Sequence, residues 1–361
     1  MRILHIIPEL KTGGAEKMLV DIIEEQIDLG AEVTVLISKR LNNNLEERVS
    51  KLATLNCSNI SEFYSISAIA FLVKYLRNKN FDVVHSHLTP SQVSCFFAYI
   101  FKSTRALYIT TEHNTSNRRR NTFIYRISDY LIYLPYKKII CISDGTAESL
   151  KNWLPLTSNK LEVILNGIRI DDYINKYSKI SNDRSGFLTV ISVARLEPQK
   201  DHDTLIRAIV FCPQVKLLLV GEGTRRAILE TLVSRLGLTS RVVFLGNRSD
   251  VPALLAAADV YVQSSHWEGF GLAALEAMAV GLPTIASDVS GLREVVGGAG
   301  TLFTPRDELA LADAINSMGN DSFRKTVADN CYVRAQAFDI RATAAAYMRV
   351  YKRFTHDTDI D

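Results

Sequence analysis

Residues 260–287 read VYVQSSHWEGFGLAALEAMAVGLPTIAS. The run opens on a short β-branched and aromatic strand (260–263) and passes through a loop carrying Gly269 and Gly271. It then enters an apolar helix and returns to a second strand at 284–286. Strand, glycine loop, helix, strand is the repeating unit of a parallel α/β sheet. Working outward, the same alternation continues in both directions. In the second half of the chain, strands are expected at 187–193, 216–220, 242–244 and 301–303, with helices over 306–318, 321–336 and 340–353. In the first half, strands are expected at 3–7, 32–37, 82–85, 107–111, 139–142 and 163–165, with a helix over 15–29. Ser143 or Asp144 is placed to cap the helix after the strand at 139–142. Residues 171–186 break the rhythm: they are polar, end in Gly186 and read as a linker, though Tyr173 and Tyr177 could pack. At 361 residues the chain exceeds what one core usually holds. The reading is therefore one Rossmann-like, doubly wound architecture written twice: residues 1–170, a linker at 171–186, residues 187–338 and a terminal segment at 339–361.

Composition narrows the class without naming it. The chain is 47% hydrophobic and 22% charged with a net charge of +3, so no global charge argument favours nucleic acid. No apolar run reaches bilayer-spanning length, and the start, MRILHIIPEL, reads into a strand rather than as a secretory leader. The five cysteines are scattered and form no CxxC pair, so neither a disulfide framework nor a cysteine zinc site is expected, and a reducing cytoplasm fits. Charge is uneven, however. Between residues 102 and 138 stand eight basic residues, among them Arg118, Arg119 and Arg120, against only Glu112 and Asp129. They are interleaved with Phe123, Tyr125, Tyr130, Leu131, Tyr133 and Leu134. Such a segment suits peripheral contact with an anionic membrane; a solvated basic helix face is the alternative.

In open parallel sheets, ligands bind beyond the carboxyl ends of the strands, so the polar residues that follow each strand are the candidates. After the first strand come Thr12, Gly13, Gly14, Ala15 and Glu16, a glycine pair leading into a helix whose N-terminus could meet an anion. This is not a GxGxxG fingerprint, and Ser38, Lys39 and Arg40 stand where an acidic residue would close the second strand. A plain loop-to-helix turn explains it equally well. His113 ends the strand at 107–111; a lone histidine is more often structural than catalytic. His85 and His87 share one strand face, but no third ligand is evident and no metal is expected. In the second half, Arg195 and Lys200 follow the strand at 187–193 and suit a diphosphate. Glu268 precedes the glycine-rich helix start and Glu276 lies about 7.5 Å further along its axis. Two carboxylates on either side of an anion site suit hydroxyl pairs on a sugar and a ribose. Glu276, among apolar neighbours, needs a partner.

At these residues the chain resembles the family 4 retaining glycosyltransferases of the GT-B fold. The resemblance rests on the E-x7-E pattern (Glu268, Glu276) enclosing EGFGL, followed by GLPTIASDVSGLREVV. ARLEPQK (194–200) is similar to the family's GRLxxxKG, with Ala194 replacing the usual Gly and Asp201 where Gly is common. GGAEK resembles the GG-AE loop of members that build bacterial glycans, and LNGI (165–168) the interdomain NG motif. The resemblance spans nearly the whole chain and is most specific over 250–296.

It implies two domains facing a cleft, with the final helix crossing back onto the first. It implies that Arg195 and Lys200 bind the donor diphosphate and stabilise the leaving group. Glu268 and the backbone at Phe270, Gly271 and Leu272 would hold the sugar and phosphate oxygens. Glu276 would take the ribose hydroxyls, and residues 246–250, with Asn247 and Arg248, would face the base. Gly13 and Gly14 would approach the reaction centre, and His113 would bond the sugar. The implied reaction is retaining, metal-independent hexosyl transfer with no cofactor. The donor would be a nucleotide-sugar, UDP favoured over GDP, and the acceptor a lipid-linked saccharide of bacterial surface polysaccharide or protein glycan. A GT-B-like UDP-sugar epimerase, a pyridoxal-phosphate phosphorylase and a non-enzymatic binding scaffold share the fold-level features. The E-x7-E pattern favours transfer. The expected location is cytoplasmic, at the inner face of the membrane where the acceptor lies.

Overall fold

Runs such as LLLV at 217–220 carry no polar face, as befits strands covered by helices on both sides. The computed structural model describes residues 1–11, 13–60, 64–115, 120, 122, 124–174 and 186–355. It divides at Gly167/Ile168 and Asp339/Ile340 into a first unit, which includes the chain from Ile340 onward, and a second unit, Ile168–Asp339. In the first unit, β1 (Arg2–Ile6), β2 (Glu32–Ile37), β3 (Thr54–Cys57), β4 (Val83–His87), β5 (Leu107–Glu112), β6 (Lys138–Cys141) and β7 (Leu161–Val163) form one parallel sheet. Its order is β3-β2-β1-β4-β5-β6-β7. In the second, β8 (Leu188–Val193), β9 (Val215–Val220), β10 (Val242–Gly246), β11 (Val260–Gln263), β12 (Thr284–Ser287) and β13 (Thr301–Phe303) follow the order β10-β9-β8-β11-β12-β13. Counted within each unit, both begin 3-2-1-4-5-6. The order therefore reverses between β1 and β4 and again between β8 and β11, the two places where a doubly wound sheet opens a crevice at its carboxyl edge.

Most expected strands lie where the sequence puts them, and the differences matter for the site. β4 runs two residues past the expected 82–85, so His85 and His87 lie inside the strand instead of following it. The strand expected at 163–165 is β7, two residues earlier. The edge strand β3, TLNC, alternates polar and apolar residues but over only 4 positions, too short a run to stand out in the sequence. Ser143 caps the helix Asp144–Trp153 in a reciprocal box: its hydroxyl accepts from the Thr146 N–H at 3.1 Å, and Thr146 Oγ1 accepts from the Ser143 N–H at 2.9 Å. Within the segment read as a linker, Asp171–Ile174 forms a single helical turn that buries Tyr173; 175–185 lie outside the described residues, as does the tail from 356.

The last helix, Ile340–Thr355, belongs to the first unit. Its Tyr347 and Tyr351 are fully buried, and it packs beside the first helix, Gly14–Asp28. Among the described residues, no helix is long and apolar enough to cross a membrane.

Candidate functional site

The second unit gathers its polar side chains at the β8/β11 switch point. The loop after β8 carries Arg195 and Lys200, and the loop after β11 carries Ser265 and Glu268. These loops are stitched together by main-chain acceptors. Ser264 Oγ donates to the Asp201 carbonyl at 2.8 Å, Gln199 Nε2 to the Trp267 carbonyl at 2.8 Å, and the His266 N–H to the Gln199 carbonyl at 2.8 Å. Glu268, only 6% exposed, is held from three sides on one oxygen. Lys200 Nζ pairs with its Oε1, Ser265 Oγ donates to it at 2.6 Å and Gln263 Nε2 at 2.5 Å. The Gln263 amide is itself oriented, because Tyr261 Oη donates to its Oε1 at 2.9 Å. The carboxylate is therefore fixed before any ligand arrives, which is the preorganisation an electrostatic site needs.

Arg195 differs from Lys200. Its side chain is exposed and makes no hydrogen bond or ion pair among the described residues, so its donors face outward. Its backbone is nevertheless pinned. The Leu196 N–H donates to the Glu222 carbonyl at 2.9 Å, the Arg225 N–H to the Leu196 carbonyl at 2.9 Å, and the Glu197 carboxylate accepts from the Thr224 hydroxyl at 2.8 Å. This fit requires Gly221: at φ +132, a Cβ there would lie 2.1 Å from the Ala194 carbonyl oxygen.

Gly271 N-caps the helix Leu272–Ala279 at φ +100, and a Cβ on it would lie 2.6 Å from Leu292 Cδ2. Phe270 turns its ring inward, edge-on to Phe338 at 5.7 Å, so only its backbone and that of Leu272 remain at the helix start. Glu276 finds the partner its apolar surroundings demand: Tyr173 Oη donates to its Oε1 at 2.8 Å. Asn247 and Arg248 stand exposed after β10, two strands from the switch point, and the Arg248 guanidinium is engaged in both directions by Asp250 at 2.8 and 2.7 Å.

In the first unit, the β1/β4 switch point is occupied by histidines. His5 on β1 stands opposite His85 on β4, with His87 two residues on and His113 just past β5. All four are buried. Burial lowers His5 and His113 to about 4 and holds His85 and His87 well below the usual histidine range, so all four rings are neutral at pH 7.

The third imidazole that sequence spacing did not supply is His5, and nitrogens of His5, His85 and His87 lie within 4.8 Å of one another. The geometry nevertheless fits hydrogen bonding better than an ion. The His85 and His87 rings stack at 4.3 Å and 15°, so their in-plane lone pairs run side by side instead of converging. Every ring nitrogen of the three already has a hydrogen-bond partner.

Gly13 N-caps the first helix with extended backbone (φ −98), and Gly14 begins it. A Cβ at Gly13 would meet only the Glu16 carboxylate, so backbone conformation does not demand glycine there. Thr12 lies outside the described residues.

Of the basic residues read as membrane contacts, Arg118 and Arg119 lie outside the described residues. Arg120 is a correction: its guanidinium points inward to Ser149 Oγ at 2.8 Å and Glu112 Oε1 at 3.4 Å, with the side chain 11% exposed. Glu112 is buried and needs that cation, and Tyr133 donates to its other oxygen at 2.5 Å. What does face solvent is one side of the helix Ile124–Tyr133 and the residue after it, where Ile124, Ile127, Leu131 and Leu134 are all at least half exposed.

Comparison with known proteins gives the family and the fold. Residues 12–172 match the family described as Glycosyltransferase Family 4, and residues 174–334 match Glycosyl transferases group 1. The N-acetylgalactosamine-N,N'-diacetylbacillosaminyl-diphospho-undecaprenol 4-alpha-N-acetylgalactosaminyltransferase of Campylobacter jejuni is 27% identical over 346 residues, 91% of this chain and 93% of that protein. An uncharacterised glycosyltransferase of Methanocaldococcus jannaschii is 30% identical over 273 residues, 69% of each chain. Among solved structures, Anabaena HepE in complex with UDP and glucose matches with a TM-score of 0.84 at 26% identity, covering 98% of this chain and 100% of that one. With two halves matching in succession and Lys200 paired to Glu268 at the second switch point, the chain belongs to the family 4 glycosyltransferases and is an enzyme of the GT-B fold.

Proposed function

We propose that this enzyme transfers a hexose or N-acetylhexosamine from a UDP-sugar to a lipid-linked glycan acceptor, retaining the anomeric configuration and without a divalent metal, in bacterial surface-glycan assembly. The observation that carries the reading is the constellation at the β8/β11 switch point: a preset Glu268 paired to Lys200, with Arg195 turned to solvent beside it. In this reading Arg195 and Lys200 meet the diphosphate, and the helix start at Gly271 and Leu272 adds backbone N–H donors. Together they supply the charge neutralisation that a metal provides elsewhere. Glu268 holds the sugar, and Glu276, oriented by Tyr173, takes the ribose hydroxyls. The leaving phosphate then takes the acceptor's proton on the same face as the departing bond.

A UDP donor is favoured because Anabaena HepE, 26% identical, binds UDP and glucose. A lipid diphosphate acceptor is favoured because the Campylobacter relative's name specifies a diphospho-undecaprenol substrate. Residues 187–338 would bind the donor, and residues 1–170 with 339–361 the acceptor. The exposed apolar face at Ile124, Ile127 and Leu131 would rest on the bilayer that carries the acceptor.

The test is a thermal-shift panel of UDP-, GDP- and ADP-sugars, read with and without EDTA, because a bound donor raises stability with its affinity. UDP-sugars should shift the midpoint most, and EDTA should not change the shift. Glu268→Gln should keep most of that shift while transfer falls ~100-fold, as for loss of one preorganised electrostatic group. Undiminished transfer by that variant, or an inverted product by NMR, would overturn the assignment.

A further inference from the structure

The buried histidines of the first unit form a directed chain. Gln26, on the first helix, accepts at Oε1 from His5 Nε2 at 2.8 Å. His5 Nδ1 lies 3.0 Å from His87 Nε2, and His87 Nδ1 lies 3.4 Å from His113 Nε2. Each neutral imidazole has one donor nitrogen and one acceptor nitrogen, so fixing the direction of one link fixes all the rest. If Gln26 presents its carbonyl oxygen, His5 carries its proton on Nε2 and accepts on Nδ1. His87 then donates from Nε2, and His113 donates from Nε2 in turn. The chain ends on His113 Nδ1, an acceptor that is buried and has no partner among the described residues.

The direction is set at the other end by the last helix. Tyr351 Oη lies 2.5 Å from His85 Nδ1 and 3.4 Å from Gln26 Nε2. A phenol is a stronger donor than a neutral imidazole, so the short contact is Tyr351 donating to His85. His85 then donates from Nε2 to Thr111 Oγ1 at 2.8 Å. With its only proton committed, the Tyr351 oxygen can only accept from Gln26, which turns the Gln26 amide nitrogen toward it and its carbonyl toward His5. Without Tyr351 the amide could flip, and every histidine would reverse, leaving His113 Nδ1 as a donor.

We propose that Tyr351, Gln26, His5 and His87 act as a positioning relay that holds His113 as its Nε2–H tautomer and presents Nδ1 as an acceptor for a substrate hydroxyl. The assignment of a hydroxyl as the ligand rests on the sugar-transfer reading above; the relay itself does not. Neutrality of all four rings, enforced by burial, is what lets one tautomer persist along the chain.

The experiment labels the histidine rings with 15N and reads their tautomers by long-range 15N–1H correlation on the full-length enzyme, alongside transfer kinetics. In the wild type, His5, His87 and His113 should all be Nε2–H, a result that needs no variant to fold. Gln26→Leu removes the acceptor that ends the chain. It should give mixed tautomers at His113 and lower kcat/KM ~10-fold, about one hydrogen bond's worth, while UDP binding stays unchanged. Gln26→Glu keeps an acceptor toward His5 and should restore the Nε2–H pattern. An Nδ1–H proton on wild-type His113 overturns the relay even if the enzyme transfers sugar. So does a Gln26→Leu variant with unaltered tautomers and kinetics. The Nε2–H pattern in a protein that transfers no sugar keeps the relay and refutes the proposed function instead.

Discussion

Acidification from pH 7.5 to 5.5 should loosen the first unit far more than the second. Four histidines of the first unit, His5, His85, His87 and His113, are buried and neutral, against His202 alone in the second, lowered to about 4 chiefly by burial. The sign follows from linkage. The folded values lie below the unfolded value of 6.5, so between them the unfolded chain binds more protons. Stability that is complete above pH 6.5 is therefore lost as pH falls toward 4. At pH 5.5 a buried histidine lowered to about 4 costs ~1.4 kcal/mol, so His5 and His113 together cost the first unit ~2.8 kcal/mol, His85 and His87 add to that loss in the same direction, and His202 costs the second ~1.4 kcal/mol. Carboxylates titrate lower and contribute little in this window.

Each unit holds one of the chain's two tryptophans: Trp153, hydrogen-bonded to Asp129 at 2.9 Å, and Trp267, 40% exposed. Urea unfolding of Trp267→Phe and Trp153→Phe variants, followed by the remaining indole, reads the units separately. With m-values of ~1–3 kcal/mol/M, the Trp267 midpoint should fall by ~0.5–1.4 M and, at the same m-value, the Trp153 midpoint by at least about twice as much. Equal shifts at the two tryptophans, or a larger one at Trp267, would refute the reasoning.

Gly271→Ala should destabilise the second unit by ~2–5 kcal/mol, combining backbone strain at φ +100 with overlap against the fully buried Leu292. Gly13→Ala, on extended backbone, should cost ~1 kcal/mol or less by thermal melting; similar losses at both positions would contradict the glycine argument. Arg195→Ala should leave stability within ~0.5 kcal/mol of wild type yet weaken UDP-sugar binding ~10-fold or more, because its side chain makes no hydrogen bond or ion pair among the described residues. Lys200→Ala should weaken binding and also cost ~3 kcal/mol of stability, because it strips the cation from the buried Glu268. Calorimetry showing the two variants equally stable would reject that division of roles.

What the sequence made legible was local. Glu268, Gly271 and Glu276 fall within one loop and one helix, so their spacing alone indicates an anion site flanked by carboxylates. What it hid depends on strands and helices meeting across long separations. His5 lies 80 residues from His85 and becomes its neighbour only because β1 pairs with β4. Tyr173, which answers the need of Glu276, sits 103 residues before it in a stretch whose polarity reads as a linker. Gln263 and Ser265 were in plain view beside Glu268, but nothing in their spacing says that both side chains turn back onto its carboxylate. A basic residue in a basic stretch likewise reveals nothing of its direction: Arg120 serves the buried Glu112, and the exposed surface nearby is apolar.

The two departures from the family pattern have physical explanations that leave the candidate site intact. At position 201, where glycine is common, Asp201 adopts φ +46, the left-handed region that favours glycine but that aspartate tolerates better than most residues. Its side chain offsets the strain by accepting from the Thr204 N–H at 3.4 Å, which caps the helix His202–Ala208 that carries the loop away from Lys200, and from the Thr204 hydroxyl at 2.7 Å. At position 194 the close approach is made by the carbonyl of Ala194 against Gly221, so the constraint that forbids a side chain falls on the facing loop. Glycine at 194 is then dispensable while Gly221 is not. Arg195 keeps its place because the backbone beneath it is gripped from the β9 side.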